Sequence, residues 1–169
     1  MRNVQKFIRE NTFPCPYRGT KYEEVTNMNS LKRGQAGEII VAEALGAVHN
    51  MNTNLPDVVL SNGMCVEVKS SFGSKNQNNS GNVNHVQLGK HYHRLVVLSV
   101  SVNNGIVNER MVWFTKEDVA SMVKDGTLKH QSGGKGAGND DYIGSTLRVI
   151  NHHTAKEVDK KEFESWRCH

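Results

Sequence analysis

Two short apolar segments that carry acidic residues, joined by a turn sequence, constrain the fold of this chain most strongly. The first segment, residues 56–60, reads Pro-Asp-Val-Val-Leu, and the second, residues 64–71, contains the triplet Glu67-Val68-Lys69. The intervening Ser61-Asn62-Gly63 is a strong signal for a β-hairpin, so each segment is predicted to be a strand. Charged side chains between valines cost free energy unless they bind something, and a divalent metal ion on a phosphate would satisfy them.

The length of the turn decides which charged side chains share a face of this hairpin. A two-residue loop would put Glu67 on the opposite face of the sheet from Asp57. A three-residue loop, 61–63, with Gly63 in the left-handed conformation, places Asp57 directly opposite Glu67, about 5 Å apart at Cβ. Lys69 then lies on the same face, because it is two residues beyond Glu67. We therefore predict the three-residue loop, which brings all three side chains together.

A helix is predicted over residues 31–45, upstream of the hairpin. Ser30 is the expected N-cap and Gly46 the expected end of this helix. Glu38 lies seven residues from the leucine at either end, so it shares a face with both of them. A carboxylate on that face becomes a third acidic candidate beside the hairpin.

The remaining pattern predicts an α/β domain with a central mixed β-sheet flanked by helices. One domain is expected for residues 1–169, with a core at about 30–114 and terminal segments that either dimerise or clamp a partner. Thr115 is the predicted N-cap of a helix that ends before Gly126, with Asp118 in the capping-box position. Further strands are expected near 95–102, 106–114 and 145–150, short helices near 2–10, 84–93 and 154–166, and polar loops over 74–84 and 131–142.

Composition favours a cytoplasmic protein that binds a polyanion. The formal net charge is +4, and no segment has the roughly 18 apolar residues that a membrane span needs. The odd number and wide spacing of the cysteines (Cys15, Cys65, Cys168) favour a reducing cytoplasm. No acidic residue lies between Glu67 and Glu109. We expect this acid-free stretch, which contains several lysines, to lie near a phosphate backbone.

The order of these motifs resembles the PD-(D/E)xK nuclease superfamily, which has the restriction-endonuclease-like fold. The matching residues are Glu38 on the first helix, Pro56-Asp57 on one strand and Glu67-Val68-Lys69 on the next. Gln87, after that strand, lies where many members of the superfamily have a polar residue and is a further catalytic candidate. The resemblance covers residues 30–102.

The resemblance implies Mg²⁺-dependent hydrolysis of phosphodiester bonds, with Mn²⁺ able to substitute. Asp57 and Glu67 would hold one or two metal ions, with the Val68 carbonyl as a further ligand. Glu38 would complete a second metal position or orient a water molecule. Lys69 would position the attacking water or stabilise charge on the phosphate, and it should stay protonated while it lies between carboxylates.

The expected function is a prokaryotic or phage-encoded type II restriction endonuclease that cuts double-stranded DNA, and analogy with the family implies a homodimer. The alternative is a structure-specific nuclease similar to Holliday-junction resolvases, or another repair or recombination nuclease; a further alternative is a DNA-binding module without catalysis. Basic and amide side chains in the loops and the acid-free stretch are the candidate DNA contacts. They are Lys75, Asn78, Asn79, Asn82, Lys90 and Lys135.

The charged residues of the hairpin and the histidines of the chain also have structural interpretations that involve no ligand. Asp57, Glu67 and Lys69 could form an ion-pair ladder on a solvent-facing sheet, although this does not explain the neighbouring proline or the helix glutamate. The histidines within 91–93 and 152–153 suggest zinc, but they lack partner ligands at a suitable spacing. We therefore expect them to be ordinary surface residues. Ser70 is a secondary candidate for contacts to water or phosphate.

Overall fold

The computed structural model describes residues 17–52, 55–73, 82–103, 106–130, 143–146, 156–157 and 164–166. The helices are α1 (Glu23–Asn27), α2 (Ser30–Leu45) and α3 (Lys116–Lys124). The strands are β1 (Val48–His49), β2 (Val58–Val59), β3 (Cys65–Phe72), β4 (Asn82–Val86), β5 (Arg94–Asn103), β6 (Ile106–Thr115), β7 (Lys129–His130), β8 (Ile143–Thr146) and β9 (Lys156–Glu157).

The strands form two sheets. The larger has six strands in the order β1-β2-β3-β5-β6-β9, and the smaller has three in the order β4-β8-β7. In the larger sheet β3 and β5 are parallel, and the other neighbours are antiparallel. The predicted α/β architecture with a mixed sheet flanked by helices is therefore confirmed. The parallel pair requires a crossover, and this crossover contains β4.

The hairpin of β2 and β3 has the predicted three-residue loop. Val59 lies opposite Cys65, and Gly63 has a φ of 83°, in the left-handed region that glycine adopts readily. The Leu60 N–H donates to the Met64 carbonyl at 3.0 Å and closes the turn. The register that places position 57 beside position 67 is confirmed, although β2 itself is shorter than the predicted strand.

Strand β5 lies between two apolar cores, which explains why its sequence is apolar almost without interruption. Val96, Leu98 and Val100 belong to the core that contains residues of α2. Leu95 and Val97 point to the other face and belong to the core that contains residues of α3 and of the smaller sheet. Because both faces are covered, the sheet provides a rigid support for the side chains on β3.

Helix α2 packs closely against β3 at Gly37. A Cβ atom at this position would overlap the side chain of Ser70. Ser70, a secondary candidate for water or phosphate contacts, therefore packs against the helix. This glycine sets the height of α2 over the sheet, and with it the position of the neighbouring Glu38.

The helix predicted over residues 84–93 is wrong. Residues 82–86 form β4, which pairs with β8, and a register shift separates Val83 from Val86. His85 lies at this irregularity with a φ of 59°. The bulge lets both valines be buried, although they are three residues apart, a spacing typical of a helix.

The predicted helix boundaries are mostly correct. Asn29, rather than the next residue, caps α2, and its side chain accepts from the Lys32 N–H at 3.0 Å. Gly46 ends this helix with a φ of 61°. Thr115 and Asp118 form the predicted capping box at the start of α3. Helix-end chemistry is local, so the sequence predicts it well.

The C-terminal part differs from the prediction. The helix expected over 154–166 is wrong at its start, because residues 156–157 form β9, which pairs with β6; residues 164–166 are helical. The strand predicted near 145–150 is β8, which begins earlier. None of the helices in the described ranges has the length and apolar content needed to cross a bilayer. Outside the described residues lie the predicted helix 2–10, most of loop 74–84 and all of loop 131–142.

Candidate active site

One cleft contains every side chain that the sequence analysis selected as catalytic. It has a volume of about 390 Å³ and opens between helix α2, the residues that follow β1, the β2–β3 hairpin and residues 85–90. The five predicted residues in its wall are Glu38, Asp57, Glu67, Lys69 and Gln87.

Glu67 is the centre of the charged cluster. Its side chain is only 1% exposed, because it lies in the middle of β3 beneath two lysines. Lys69 Nζ donates to Glu67 Oε1 at 2.6 Å, and Lys90 Nζ lies 2.5 Å from Glu67 Oε2. The contact with Lys90 is an ion pair whose angles do not meet those of a hydrogen bond, so Oε2 has no hydrogen-bond partner among the described residues. A buried carboxylate can remain charged only if neighbouring cations offset the free energy that its dehydration costs.

Asp57 reaches the same cluster from the other strand of the hairpin. Its Oδ2 accepts a hydrogen bond from the backbone N–H of Val68 at 2.8 Å. Its Oδ1 lies 3.2 Å from Lys90 Nζ. Val68 therefore contacts Asp57 through its N–H, whereas the sequence analysis expected its carbonyl to be a metal ligand. Because the backbone holds one oxygen of Asp57, the other is directed at the same cation that Glu67 contacts.

Lys90 lies between the two carboxylates. It was predicted as a DNA contact, but its side chain is only 15% exposed and lies inside the cleft. Burial lowers the pKa of Lys90, yet the Glu67 and Asp57 carboxylates outweigh burial and raise the pKa above its ordinary value. The ammonium therefore stays charged at neutral pH. Lys116 Nζ donates to the Lys90 carbonyl at 2.8 Å and holds this part of the chain.

Tyr92 lies in the core on the Glu67 side of the sheet. Its residue surface is 3% exposed, and burial together with the charge of Glu67 raises its pKa to about 12. Lys116 Nζ lies 5.1 Å from the centre of the Tyr92 ring. The phenol is therefore neutral at physiological pH, and it supports the segment that carries Lys90.

Glu38 approaches the cleft from α2. Its Oε2 lies 2.7 Å from His49 Nε2, a partner on the short strand β1. The structure thus places Glu38 in the same cleft as Asp57 and Glu67, held by an imidazole rather than by a lysine. His49 was missed in the sequence, because a strand of two residues gives no recognisable pattern.

The other predicted contacts are distributed differently. Gln87 is half-buried in the cleft wall, but it follows a strand instead of lying on a helix. Asn82 is exposed at the start of β4. Four of the DNA contacts expected from the sequence lie outside the described residues: Lys75, Asn78, Asn79 and Lys135.

The charges of the cluster balance. Asp57 and Glu67 contribute two carboxylates, and Lys69 and Lys90 contribute two ammonium groups, all within one set of ion pairs. Such a network is costly to dehydrate, and well-packed apolar side chains would often stabilise a fold equally well. Its position in the wall of an open cleft is therefore more typical of a site that binds a charged ligand.

The comparisons with known proteins add no further constraint to this geometry. No protein-family model matches the chain, and no curated protein matches it either.

Proposed function

We propose that this protein is a Mg²⁺-dependent DNA endonuclease with the restriction-endonuclease-like fold, of the type II restriction kind. The observation that carries the proposal is the position of the Lys90 ammonium, which contacts Asp57 Oδ1 at 3.2 Å and Glu67 Oε2 at 2.5 Å. One cation therefore reaches both carboxylates. A divalent ion in the same position would have two oxygen ligands on neighbouring strands.

The donor set suits a hard metal ion. Mg²⁺ is usually bound through one or two carboxylates together with substrate phosphates. Asp57 and Glu67 provide such a pair, Glu38 adds a carboxylate in the same cleft, and Val68 is proposed to add its carbonyl. Oxygen ligands also suit Mn²⁺. The bound ion would neutralise charge on the phosphate and activate the attacking water.

Each lysine has a separate proposed role. Lys69 is held by Glu67 at 2.6 Å, so its ammonium is fixed where it can stabilise charge that develops on a phosphate. Lys90 neutralises the carboxylate pair before the metal ion binds. When a divalent ion takes this position, the long side chain of Lys90 is free to turn toward a phosphate oxygen.

A purely structural ion-pair network is the main competing interpretation. It explains the pairing of Lys69 and Lys90, but it does not require an adjacent cleft or a third carboxylate from Glu38 in its wall. The two interpretations differ in one respect that can be measured. A structural network affects stability alone, whereas a metal site makes cleavage depend on a divalent ion.

Cleavage of supercoiled plasmid tests the proposal directly. Wild type should nick or linearise the plasmid with Mg²⁺ or Mn²⁺ and be inactive with a chelator. Asp57→Asn and Lys69→Ala should each reduce the rate about a hundredfold or more, because each removes an interaction with the reacting phosphate or its metal ion. Lys69→Ala should still bind DNA.

The matched controls come from an exposed ion pair, Lys21 with Glu109. Lys21→Ala and Glu109→Gln make the same kinds of change far from the cleft and should cut at the wild-type rate. Thermal melting of every variant separates loss of activity from loss of fold. Equal cutting by wild type and a folded Asp57→Asn protein would falsify the site assignment.

The substrate class follows from a panel of DNA structures. A type II enzyme should cut plain duplex at one short sequence, and a homodimer, with one cleft for each strand, is the proposed form. Cutting restricted to four-way junctions would instead assign the resolvase-like alternative. Metal-independent binding with no cutting of any substrate would indicate a DNA-binding module. Sedimentation of the free protein measures the oligomeric state.

A further inference from the structure

We propose that Cys65, His91 and His93 form a second metal site, suited to Zn²⁺ and separate from the carboxylate cleft. One ligand atom from each residue lies within 4.8 Å of the other two. Thiolate and imidazole are the usual protein ligands of zinc, whereas Mg²⁺ takes oxygen ligands. The donor set therefore selects a different ion from the one proposed for Asp57 and Glu67.

The backbone holds the three residues together. Cys65 begins β3 and His93 precedes β5, and the parallel pairing of these strands places the two residues side by side. The His93 N–H donates to the Cys65 carbonyl at 2.8 Å, and the Cys65 N–H donates to His93 Nδ1 at 2.9 Å. The site thus rests on the central sheet.

His91 completes the group from the same short segment. Its ring lies 5.2 Å from the ring of His93 in an edge-to-face arrangement. The residue between them, Tyr92, is buried. Its ring therefore points into the core, and the two imidazoles point toward solvent. Both histidines are exposed and Cys65 is half-buried, which leaves the site open to an ion from solvent.

Only small movements are needed to bind an ion. Ligands on one tetrahedral zinc lie about 3.5 Å apart, given bonds of 2.0–2.3 Å, and exposed imidazoles can close the remaining distance by rotation. Each histidine would bind the ion through one ring nitrogen. Binding converts the Cys65 thiol to a thiolate and releases its proton to solvent, and water takes the fourth position.

The sequence interpretation missed this group because its cysteine lies on a different strand. His91 and His93 were predicted to be surface residues without a partner ligand, and Cys65 is brought beside them by the crossover between β3 and β5. Zinc at this corner would tie the segment that begins at Lys90 to the strand that carries Glu67. The proposed ion therefore holds two parts of the cleft in fixed relation.

Cobalt binding tests the site without any need for catalysis. In a Cys15→Ser/Cys168→Ser background, Cys65 is the only thiol, so a thiolate-to-Co²⁺ charge-transfer band reports this residue alone. We expect the band to appear at one equivalent of Co²⁺ and to disappear when Zn²⁺ is added. Cys65→Ser should abolish the band, and His91→Gln should weaken Co²⁺ binding at least tenfold.

Two further variants make the result specific. His130→Gln changes an exposed histidine on β7 and should leave the band intact. Asp57→Asn should also leave the band intact, because Asp57 belongs to the carboxylate cleft and not to the proposed zinc site. Zn²⁺ should also raise the melting temperature of the background protein but not that of Cys65→Ser. Absence of the band, or Co²⁺ binding that is as tight in His91→Gln as in the background protein, overturns the zinc site and leaves the proposed nuclease function unaffected.

Discussion

One face of strand β3 carries apolar side chains and the other carries charged side chains. Val66 and Val68 point into the core beneath α2 and are almost fully buried, whereas Glu67 and Lys69 point into the charged cleft. The apolar face stabilises the strand, and the polar face places a dehydrated carboxylate where its neighbours can reach it. Because side chains alternate between the two faces of a strand, the sequence of β3 alone determines which residues enter the core and which enter the candidate active site.

The largest expected effect tests whether the polar face also contributes to stability. Glu67→Ala removes a buried carboxylate and leaves two partly buried ammonium groups without their shared partner, and it should lower the free energy of unfolding by about 3–5 kcal/mol. Glu109→Ala removes a carboxylate from an exposed pair and should cost no more than about 1 kcal/mol. Urea unfolding of both variants measures the difference. Similar small losses in both would show that the cleft charges are not coupled.

The second prediction concerns pH, through Tyr92 on the polar side of β3. Its pKa in the folded protein is about 12, against about 10 in an unfolded chain. The neutral phenol therefore favours the folded state fully below pH 10, and this contribution is lost as pH rises toward 12. About 1.4 kcal/mol should be lost by pH 11.

Tyr92→Phe provides the control for this pH dependence. The variant keeps the ring but has no ionisable group, and the hydroxyl that it removes has no hydrogen-bond partner among the described residues. Urea unfolding between pH 8 and 11 should show the extra loss of stability in wild type alone. Parallel curves for the two proteins would contradict the raised pKa.

The third prediction tests the apolar face through its contact with α2. Gly37→Ala places a Cβ against Ser70, and the overlap should cost about 1–3 kcal/mol. Gly34→Ala in the same helix meets no atom within 4 Å and should stabilise the protein by about 0.5–1 kcal/mol. Ser70→Gly combined with Gly37→Ala should restore stability. Equal effects of the two alanines would indicate that α2 is not closely packed on β3.

Local signals explain which parts of this comparison the sequence could predict. The Asn62-Gly63 turn and the alternation around Glu67 determine the hairpin register within a few residues, and the register then brings Asp57 and Lys69 to the same cleft. Helix caps such as Thr115 are equally local. The sequence therefore predicted the polar face of β3 almost completely.

The missed features depend on contacts between distant segments. Residues 84–86 of the predicted helix belong instead to β4, whose partner β8 is distant in the sequence. Lys90 and the pair of Cys65 with His93 depend on the crossover between β3 and β5, whose register no local pattern specifies. The second ammonium of the cleft, and the partner of the exposed histidines, could be recognised only from the fold.

The last prediction concerns metal affinity, and it separates the two lysines of the polar face. Lys90 contacts both carboxylates, so it competes directly with a divalent ion for them. Lys90→Met keeps an unbranched side chain of nearly the same length and removes the charge, and it should tighten Mn²⁺ binding on the order of tenfold, equivalent to about 1.4 kcal/mol.

Lys69→Met is the matched change, because among the described residues Lys69 pairs with Glu67 and not with Asp57. It should tighten Mn²⁺ binding by a smaller factor. Calorimetric titration of both variants in the Cys65→Ser background removes any contribution from the thiolate site. Weaker binding in Lys90→Met than in wild type would mean that its ammonium organises the carboxylates for the metal ion instead of occupying the metal position, and the proposed exchange of one cation for another would be wrong.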